Sequence, residues 1–170
     1  MNEWVRASLE FQSNQYINLT NNQEMISPNI SMSLFTLYSL PLSTISFINE
    51  TFSGIKSHKL ILAKDAQIMI ITDSRFEDIR TPDLCKSSAK DGPKDLKSVT
   101  SLINVKNVER LDFIKNSYFH LTLGPGSILN RFADVKDVEI SSSLFGDINL
   151  FDSARLAIFQ NYQLLEFRSN

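Results

Sequence analysis

The sequence predicts an all-β protein built from short, stacked strands. A small phrase recurs along the chain: an apolar residue, a Lys-Asn or Lys-Asp pair, a second apolar residue, and then alternating apolar and polar positions. It occurs as Val105-Lys106-Asn107-Val108, as Val135-Lys136-Asp137-Val138 and as Ala63-Lys64-Asp65-Ala66, with a looser copy at Phe151-Asp152-Ser153-Ala154. Alternation of this kind is typical of strands, and the periodicity of 3.6 residues that marks helices is scarce throughout.

The chemistry of the recurring phrase favours corners between strands. Asn and Asp tolerate the left-handed backbone conformation and hydrogen-bond their own backbone, so they suit tight corners. Apolar residues two or three positions apart would point inward at each corner. Recurrence of such a unit predicts a coiled or stacked β architecture, in which no single turn of chain buries its own apolar face. The copies start at the uneven positions 63, 105, 135 and 151, so a β-sandwich or jelly roll is the alternative.

Two regions follow along the chain. Residues 1–26 are polar and rich in Asn and Gln, which predicts an extended or partly disordered lead-in that docks through Trp4 and Phe11. Residues 27–170 are expected to form the β domain. Its first strands, rich in β-branched and aromatic residues, are expected at 32–38, 44–47, 59–62 and 66–72.

A change of character at residues 75–97 predicts a charged loop inserted into this domain, because the segment combines many charges with Pro and Gly. Loops longer than about 12–15 residues inside a compact domain are usually functional or disordered. Order is expected to resume at Ser98. Gly124-Pro125-Gly126 predicts a sharp break, and the apolar residues after Ala154 predict a last strand or a short closing helix.

Composition excludes several classes of function. The chain has 17 basic and 19 acidic residues, a net charge of −2 and no basic stripe, so nucleic-acid binding is not expected. The longest uncharged run, 30–48, is broken by Pro41, so no membrane span is expected. A single cysteine, Cys85, and the lack of a secretory signal favour a reducing, cytoplasmic location.

No cofactor or metal is expected from the residue types. The chain has two histidines, His58 and His120, and one cysteine, too few for a zinc site of ordinary ligand count. The turn at 124–127 lacks the Gly-Lys-Ser/Thr ending of a phosphate-binding loop, so nucleotide binding by this chain is not expected either.

Several segments between Thr44 and Ser143 together resemble the C-terminal domain of tubulin-binding cofactor C and, more distantly, that of cyclase-associated protein. The segments are ISFINETFSGI, KLILAKDAQIMIITDS, SLINVKNVERLDF and FADVKDVEIS. Val105 and Val108 stand where the family usually has cysteines. The resemblance implies a right-handed parallel β-helix, roughly triangular in section.

The same resemblance implies a function in tubulin folding and microtubule maintenance, in the cytoplasm and in association with the cytoskeleton. The expected partners are an Arf-like small GTPase, α/β-tubulin and other tubulin cofactors. In the family, a strand of the form Gln-Gln-Leu-Arg-x-His supplies an arginine to the GTPase site. The segment 115–120 resembles that strand, with His120 at the family histidine and Tyr118 at the arginine. Asn116, Tyr118 and His120 are therefore the expected partner-binding residues.

Since Tyr118 replaces the family arginine, Arg110 and Arg131 are the alternative candidates for a catalytic arginine finger. A guanidinium donates aligned hydrogen bonds to the charge that develops on the transferred phosphoryl group, and in trans it is worth about 10³–10⁵ in rate. Both arginines are also compatible with outward-facing, solvated strand positions. The leading prediction is that the domain stimulates GTP hydrolysis by the Arf-like GTPase or by tubulin held in the cofactor assembly. The alternative, if both arginines are merely solvated, is a non-catalytic cytoskeletal protein-binding module on the same fold.

Overall fold

The computed structural model describes residues 8–17, 34–38, 43–57, 59–81 and 101–168. These residues form strands joined by turns and bends, and none of them is helical, so the all-β prediction is confirmed. Consequently the described part of the chain holds no helix with the length and hydropathy needed to cross a bilayer.

The described strands form one nine-stranded and one five-stranded sheet. In chain order they are β1 (Ser8–Gln12), β2 (Gln15–Ile17), β3 (Phe35–Tyr38), β4 (Thr44–Ile48), β5 (Thr51–Ser53), β6 (Ile61–Lys64), β7 (Ile68–Thr72), β8 (Arg75–Glu77), β9 (Ser101–Ile114), β10 (Ser117–Leu123), β11 (Ile128–Ser141), β12 (Leu144–Leu150), β13 (Arg155–Gln160) and β14 (Leu164–Arg168). The five-stranded sheet has the order β12-β10-β8-β5-β2, and the other strands belong to the nine-stranded sheet.

All pairings between the described strands are parallel. In the C-terminal half, partners lie 27 residues apart in both sheets: Arg110 pairs with Asp137 in one sheet and Ser117 with Leu144 in the other. The separation is 42 residues between β8 and β10, a span that includes residues 82–100 outside the described ranges. Parallel pairing throughout does not match the antiparallel ladders of a β-sandwich or jelly roll.

Left-handed residues mark the corners of the chain, as the Asn and Asp content predicts. One column of such residues, which we call the amide corner, consists of Asp65, Asn107, Asp134 and Asn161, with φ between 54° and 61°. The Asn107 amide donates a hydrogen bond to the Asp65 carboxylate over 2.6 Å, and the Asn161 amide donates one to Asp134 over 2.8 Å. Amide and carboxylate side chains thus tie successive corners together.

The recurring phrase predicts the corner correctly at Val105–Val108. In the copy at 135–138, the observed corner lies three residues before the predicted one. Val135 pairs with Val108 and Val138 pairs with Leu111, so the equivalent of the Asn107 corner is Asp134 and not Asp137. The displacement arises because apolar residues three positions apart occur across the corner, as Val105 and Val108 do, and also after it, as Val108 and Leu111 do. Val108 and Leu111 are both buried, as are Val135 and Val138, and the two spacings look alike in sequence.

A column of stacked aromatic rings fills the core beneath the five-stranded sheet. Tyr16, Phe52, Phe76, Tyr118 and Phe145 lie one above the next, with centroid separations between 4.8 and 5.0 Å and interplanar angles of 19° or less. The rings come from residues that are paired in register on neighbouring parallel strands. An aromatic residue therefore lies directly above another aromatic residue. Aromatic pairs of this kind contribute about 0.5–1.5 kcal/mol beyond the burial of their area.

The expected N-terminal lead-in is partly built into the sheets. β1 pairs with β4 and β2 pairs with β5, so the segment 8–17 extends both sheets. Phe11 docks as expected, with its ring stacked 4.7 Å from that of Phe47. Trp4 lies outside the described residues.

The predicted charged loop is wrong at its start. Arg75–Glu77 is a strand, β8, that pairs with β5 on one side and β10 on the other. Its charged residues point outward, while Phe76 takes its place in the aromatic column. Three residues with one buried ring between two charges suffice for a strand here, because the neighbouring strands supply the rest of the core. Residues 78–81 continue along the sheet, with Ile79 buried and Arg80 bridged to Lys56 and Thr122. The rest of the predicted loop, 82–97, lies outside the described residues.

Candidate functional site

Three residues in and next to β10, Asn116, Tyr118 and His120, were predicted to bind a partner, and the structure places them in different environments. Asn116 and Tyr118 are fully buried, whereas the His120 side chain is 55% exposed. Asn116 precedes the strand and Tyr118 points inward, as alternation along a strand requires. His120 adopts a left-handed conformation, with φ of 53°, which turns its side chain to the surface.

Asn116 belongs to a column of polar residues that we call the polar ladder, which is buried at Glu50, Ser74 and Asn116 and more exposed at its two ends. It is formed by the residue immediately before each strand of the five-stranded sheet: Asn14, Glu50, Ser74, Asn116 and Ser143. The Asn116 Oδ1 accepts a hydrogen bond from the Ser74 N–H over 3.0 Å, and Nδ2 donates one to the Ile71 carbonyl over 2.8 Å. Its own N–H is bonded to the Ser143 hydroxyl over 3.3 Å. These bonds occupy the amide in holding adjacent strands together, so Asn116 is removed from any partner surface.

Tyr118 is equally inaccessible to a partner. Its ring is sandwiched between Phe76 and Phe145, and its hydroxyl is buried with no hydrogen-bond partner of acceptable geometry. Burial raises the pKa of this hydroxyl well above its usual value, and the nearby Asn130 side chain opposes that rise to a smaller extent. The position that aligns with the family arginine therefore points into the core, where no residue could reach a GTPase.

His120 sits among carboxylates at a second column of left-handed residues, the imidazole corner, which consists of Gly54, Asp78, His120 and Asp147. Its Nδ1 lies 3.7 Å from Asp78 Oδ1 and 4.0 Å from Glu77 Oε1, and its Nε2 lies 3.3 Å from Asp147 Oδ2. Arg75 is the nearest recorded cation, with its guanidinium 2.8 Å from Glu77. The carboxylates at this corner outnumber the cations.

Arg110 lies on the nine-stranded sheet, three residues after the Asn107 corner. Its guanidinium donates a hydrogen bond to Asp112 over 2.8 Å and lies 3.9 Å from Glu139 of the neighbouring strand. The hydrogen bond with Asp112, and then the charge of Asp112, raise the pKa of Arg110. Arg168 reaches the same Glu139 from the next strand over 3.9 Å. Across β9, β11 and β14 these four residues form what we call the charged strip.

A shallow depression adjoins the charged strip and is lined by Gln67, Ile68, Glu109, Arg110, Lys136 and Asp137. Lys136 and Glu109 form an ion pair across it over 3.1 Å. The hydrogen bond from Lys136, and then its charge, lower the pKa of Glu109. The depression is therefore polar and open, and three of its four charged residues, Glu109, Arg110 and Lys136, already have partners.

Arg131 lies on the other side of the amide corner, three residues before Asp134. Its guanidinium donates a hydrogen bond to the Gln160 amide oxygen over 3.1 Å, and it makes no ion pair with any other described residue. In the sheet it aligns with Asn104 and Ile158, while Arg110 aligns with Ile68 and Asp137. The two candidate arginines therefore belong to different segments of the surface and do not converge on one site.

Neither arginine aligns with His120, which belongs to the other sheet. The left-handed residues on either side of His120 in its column are Asp78 and Asp147. Sequence reasoning found the histidine but missed Asp147, because the two residues are brought together only by the 27-residue offset of β10 and β12. The 27-residue offset can be traced in the sequence once the structure is known, because residue types that favour the left-handed backbone recur just before apolar runs. No family model, no curated protein and no solved structure matches this chain.

Proposed function

We propose that the chain is a right-handed parallel β-helix that serves as a non-catalytic protein-binding module for a cytoskeletal partner. Its partner is an Arf-like small GTPase, or α/β-tubulin held with other tubulin cofactors, in the cytoplasm. The helix assignment is supported by parallel pairing throughout the described strands and by the shared 27-residue offset in both sheets. Strands that alternate between two parallel sheets at a constant offset are what a coiled chain produces.

The charged strip is the observation that carries the binding proposal. Arg110, Asp112, Glu139 and Arg168 project from three adjacent parallel strands, and their charges alternate in sign. Strands hold side chains at defined spacings, which a loop would not do. A fixed pattern of alternating charge recognises a complementary protein surface through specificity and association rate more than through raw affinity.

The same contacts argue against catalysis by Arg110. An arginine finger must give both of its donor edges to the phosphoryl oxygens, whereas the Arg110 guanidinium is already bonded to Asp112 and approached by Glu139. Leaving those two carboxylates would break a charge-assisted hydrogen bond, which contributes up to about 1 kcal/mol for a side chain as exposed as that of Arg110. Binding through the strip keeps these pairs intact.

GTPase activation through Arg131 is the second candidate function, and one observation favours it. The described contact of the Arg131 guanidinium is a hydrogen bond to the neutral Gln160 amide. Exchange of this bond for phosphoryl oxygens leaves no carboxylate unpaired. Arg131 is thus the arginine that this mechanism would use.

One pair of assays separates the two functions. Binding of the chain to the GTPase–tubulin–cofactor assembly is measured by biolayer interferometry at 50 and 300 mM salt, and GTP turnover by phosphate release. We expect binding that weakens with salt and GTP turnover that does not change. The double variant Arg110→Glu, Arg168→Glu should bind at least about tenfold more weakly, because its new carboxylates would face the acidic groups of the partner that the two arginines contact. Arg155→Glu, an exposed residue of β13 outside the strip, is the matched control.

The remaining outcomes are decisive as well. Absence of binding at low salt would contradict both candidate functions. Stimulated GTP turnover that disappears in Arg131→Ala but persists in Arg110→Ala would establish the second candidate in place of the first.

A further inference from the structure

The imidazole corner gathers nitrogen and oxygen ligands of the kind that divalent transition metals prefer. His120 Nδ1 faces Asp78 Oδ1 at 3.7 Å and Glu77 Oε1 at 4.0 Å, and one ligand atom from each of the three residues lies within 4.8 Å of the others. In a tetrahedral zinc site, ligands about 2.0–2.1 Å from the metal lie about 3.3 Å from one another. The three side chains need to close by up to about 1.5 Å to reach that arrangement.

The second nitrogen of His120 lies near a carboxylate that a small rotation of the ring would bring into line for a hydrogen bond. Its Nε2 lies 3.3 Å from Asp147 Oδ2, on the opposite edge of the ring from Glu77 and Asp78. Histidines that bind metals almost always donate their other ring N–H to a carboxylate or carbonyl, which sets the tautomer and the ring orientation. A proton on Nε2, held by Asp147, leaves the Nδ1 lone pair directed at the two carboxylates.

The backbone brings these residues together in a rigid way. Asp78, His120 and Asp147 are all left-handed, with φ of 51°, 53° and 51°, and they occupy the same corner on three successive strands of one parallel sheet. Between Asp78 and His120, the Asp78 N–H is hydrogen-bonded to the Phe119 carbonyl over 3.2 Å. The paired backbone therefore fixes where these three side chains start, and their exposed ends can adjust to an ion.

We propose that Glu77, Asp78 and His120 form a binding site for a divalent transition metal ion of the Zn²⁺ type, with Asp147 positioning the imidazole. With neutral His120, the three carboxylates and the Arg75 guanidinium give the corner a net charge of −2, which a divalent cation balances. The ion joins β8 to β10, and its remaining coordination positions face solvent. The site is independent of the binding and GTPase proposals, since none of its residues belongs to the charged strip.

Arg75 competes with the metal and provides a diagnostic of the site. Its guanidinium lies 2.8 Å from both carboxylate oxygens of Glu77, so the ion must share or displace that contact. Removal of the guanidinium frees the Glu77 carboxylate and takes one positive charge away from the corner. The site therefore predicts tighter metal binding in Arg75→Gln, whereas a merely structural set of ion pairs around a protonated histidine predicts no gain.

The test is a calorimetric titration of the full chain with Zn²⁺ alone, at pH 7.5, in a His58→Asn, Cys85→Ser background that removes the other histidine and the cysteine. We expect one ion per chain. His120→Asn keeps a residue that tolerates the left-handed backbone, and we expect it and Asp78→Asn each to weaken binding at least tenfold, and Asp147→Asn to weaken it by about 10–100-fold. Arg75→Gln should strengthen it.

Asp134→Asn is the matched control, because it neutralises a left-handed carboxylate at the amide corner, and it should leave affinity unchanged. Circular dichroism confirms folding of each variant, and ¹⁵N spectra of the histidine ring should show Zn²⁺ shifting Nδ1 of His120 and not Nε2. Two results would overturn the proposal: no heat of Zn²⁺ binding in the His58→Asn, Cys85→Ser background, or the same Zn²⁺ affinity after His120→Asn is added to it.

Discussion

Two columns of polar residues flank strand β10 and differ in how their hydrogen-bonding groups are used. In the polar ladder, Asn116 is buried and its amide is matched to the Ser74 N–H and the Ile71 carbonyl. At the imidazole corner, four residues along the chain, His120 is exposed among three carboxylates that outnumber the donors. Around Asn116 the ladder uses its hydrogen-bonding groups to hold adjacent strands together, whereas the corner keeps negative charge available to an outside cation.

The largest effect is expected from Asn116→Ala, which opens the ladder. The Ser74 N–H and the Ile71 carbonyl lose their partner inside the protein, and unpaired buried groups cost about 1–3 kcal/mol each. We expect the free energy of unfolding to fall by about 2–4 kcal/mol in urea denaturation.

His120→Asn, four residues away and at the surface, is the control and should change stability by less than about 0.5 kcal/mol. If both variants lose the same stability, the distinction between the hydrogen-bonded ladder and the open corner is wrong.

A smaller effect, with a characteristic dependence on pH, is expected from Tyr118→Phe, between the two columns. The Tyr118 hydroxyl is buried without a partner, so its removal should stabilise the protein by about 1 kcal/mol at pH 7. Burial raises the pKa of Tyr118 above the unfolded value, which is about 10. The contribution of the Tyr118 proton to the stability of the wild-type protein is therefore complete below pH 10. It is lost as the pH rises above 10, because only the unfolded chain then releases the proton.

The Tyr118→Phe variant should lose less stability between pH 10 and 11.5, measured by denaturation across that range. Tyr16, whose pKa is also raised, mainly by burial and then by Glu50, contributes to both proteins and cancels in the comparison. Parallel curves for the two proteins would show that the Tyr118 hydroxyl is solvated or bonded in solution.

The smallest effect is expected from His120→Gly. Glycine adopts positive φ without strain, and the chain already has Gly54 at the equivalent position two strands away. Relief of left-handed strain should offset the greater entropy of the unfolded chain, for a net gain of up to about 0.5–1 kcal/mol. The measurement is thermal unfolding in the presence of EDTA, which keeps metal out of the comparison. A loss above 1 kcal/mol would mean that the imidazole–carboxylate contacts hold the corner together.

Much of the fold was readable from residue types. Asn107 and Asp65 are left-handed corners, as their side chains predict, and the Phe-rich alternation produces a stacked aromatic core. The copy at 135–138 was misplaced by three residues because apolar spacing is the same on both sides of a corner. Arg75–Glu77 was taken for loop because a three-residue strand with two charges has too little local signal to be recognised.

The candidate site was predicted less well, since it depends on which way single side chains point. Tyr118 and His120 are two residues apart and were expected on one face, where alternation alone would put them. The left-handed backbone of His120 breaks that alternation and leaves one residue in the core and the other at the surface. Positive φ is uncommon for any residue other than glycine, and the Asn or Asp that usually marks a tight corner is absent at position 120, so the local sequence did not mark the corner.

Local chemistry settles the strands and corners of this protein, because alternation, aromatic content and left-handed Asn and Asp act over a few neighbouring residues. Tertiary structure decides which corners meet: Asp78, His120 and Asp147 come from positions 42 and 27 residues apart. Those separations follow from how much chain lies between two strands that pair in the same sheet. That length is set by the packing of the whole core, and no single segment encodes it.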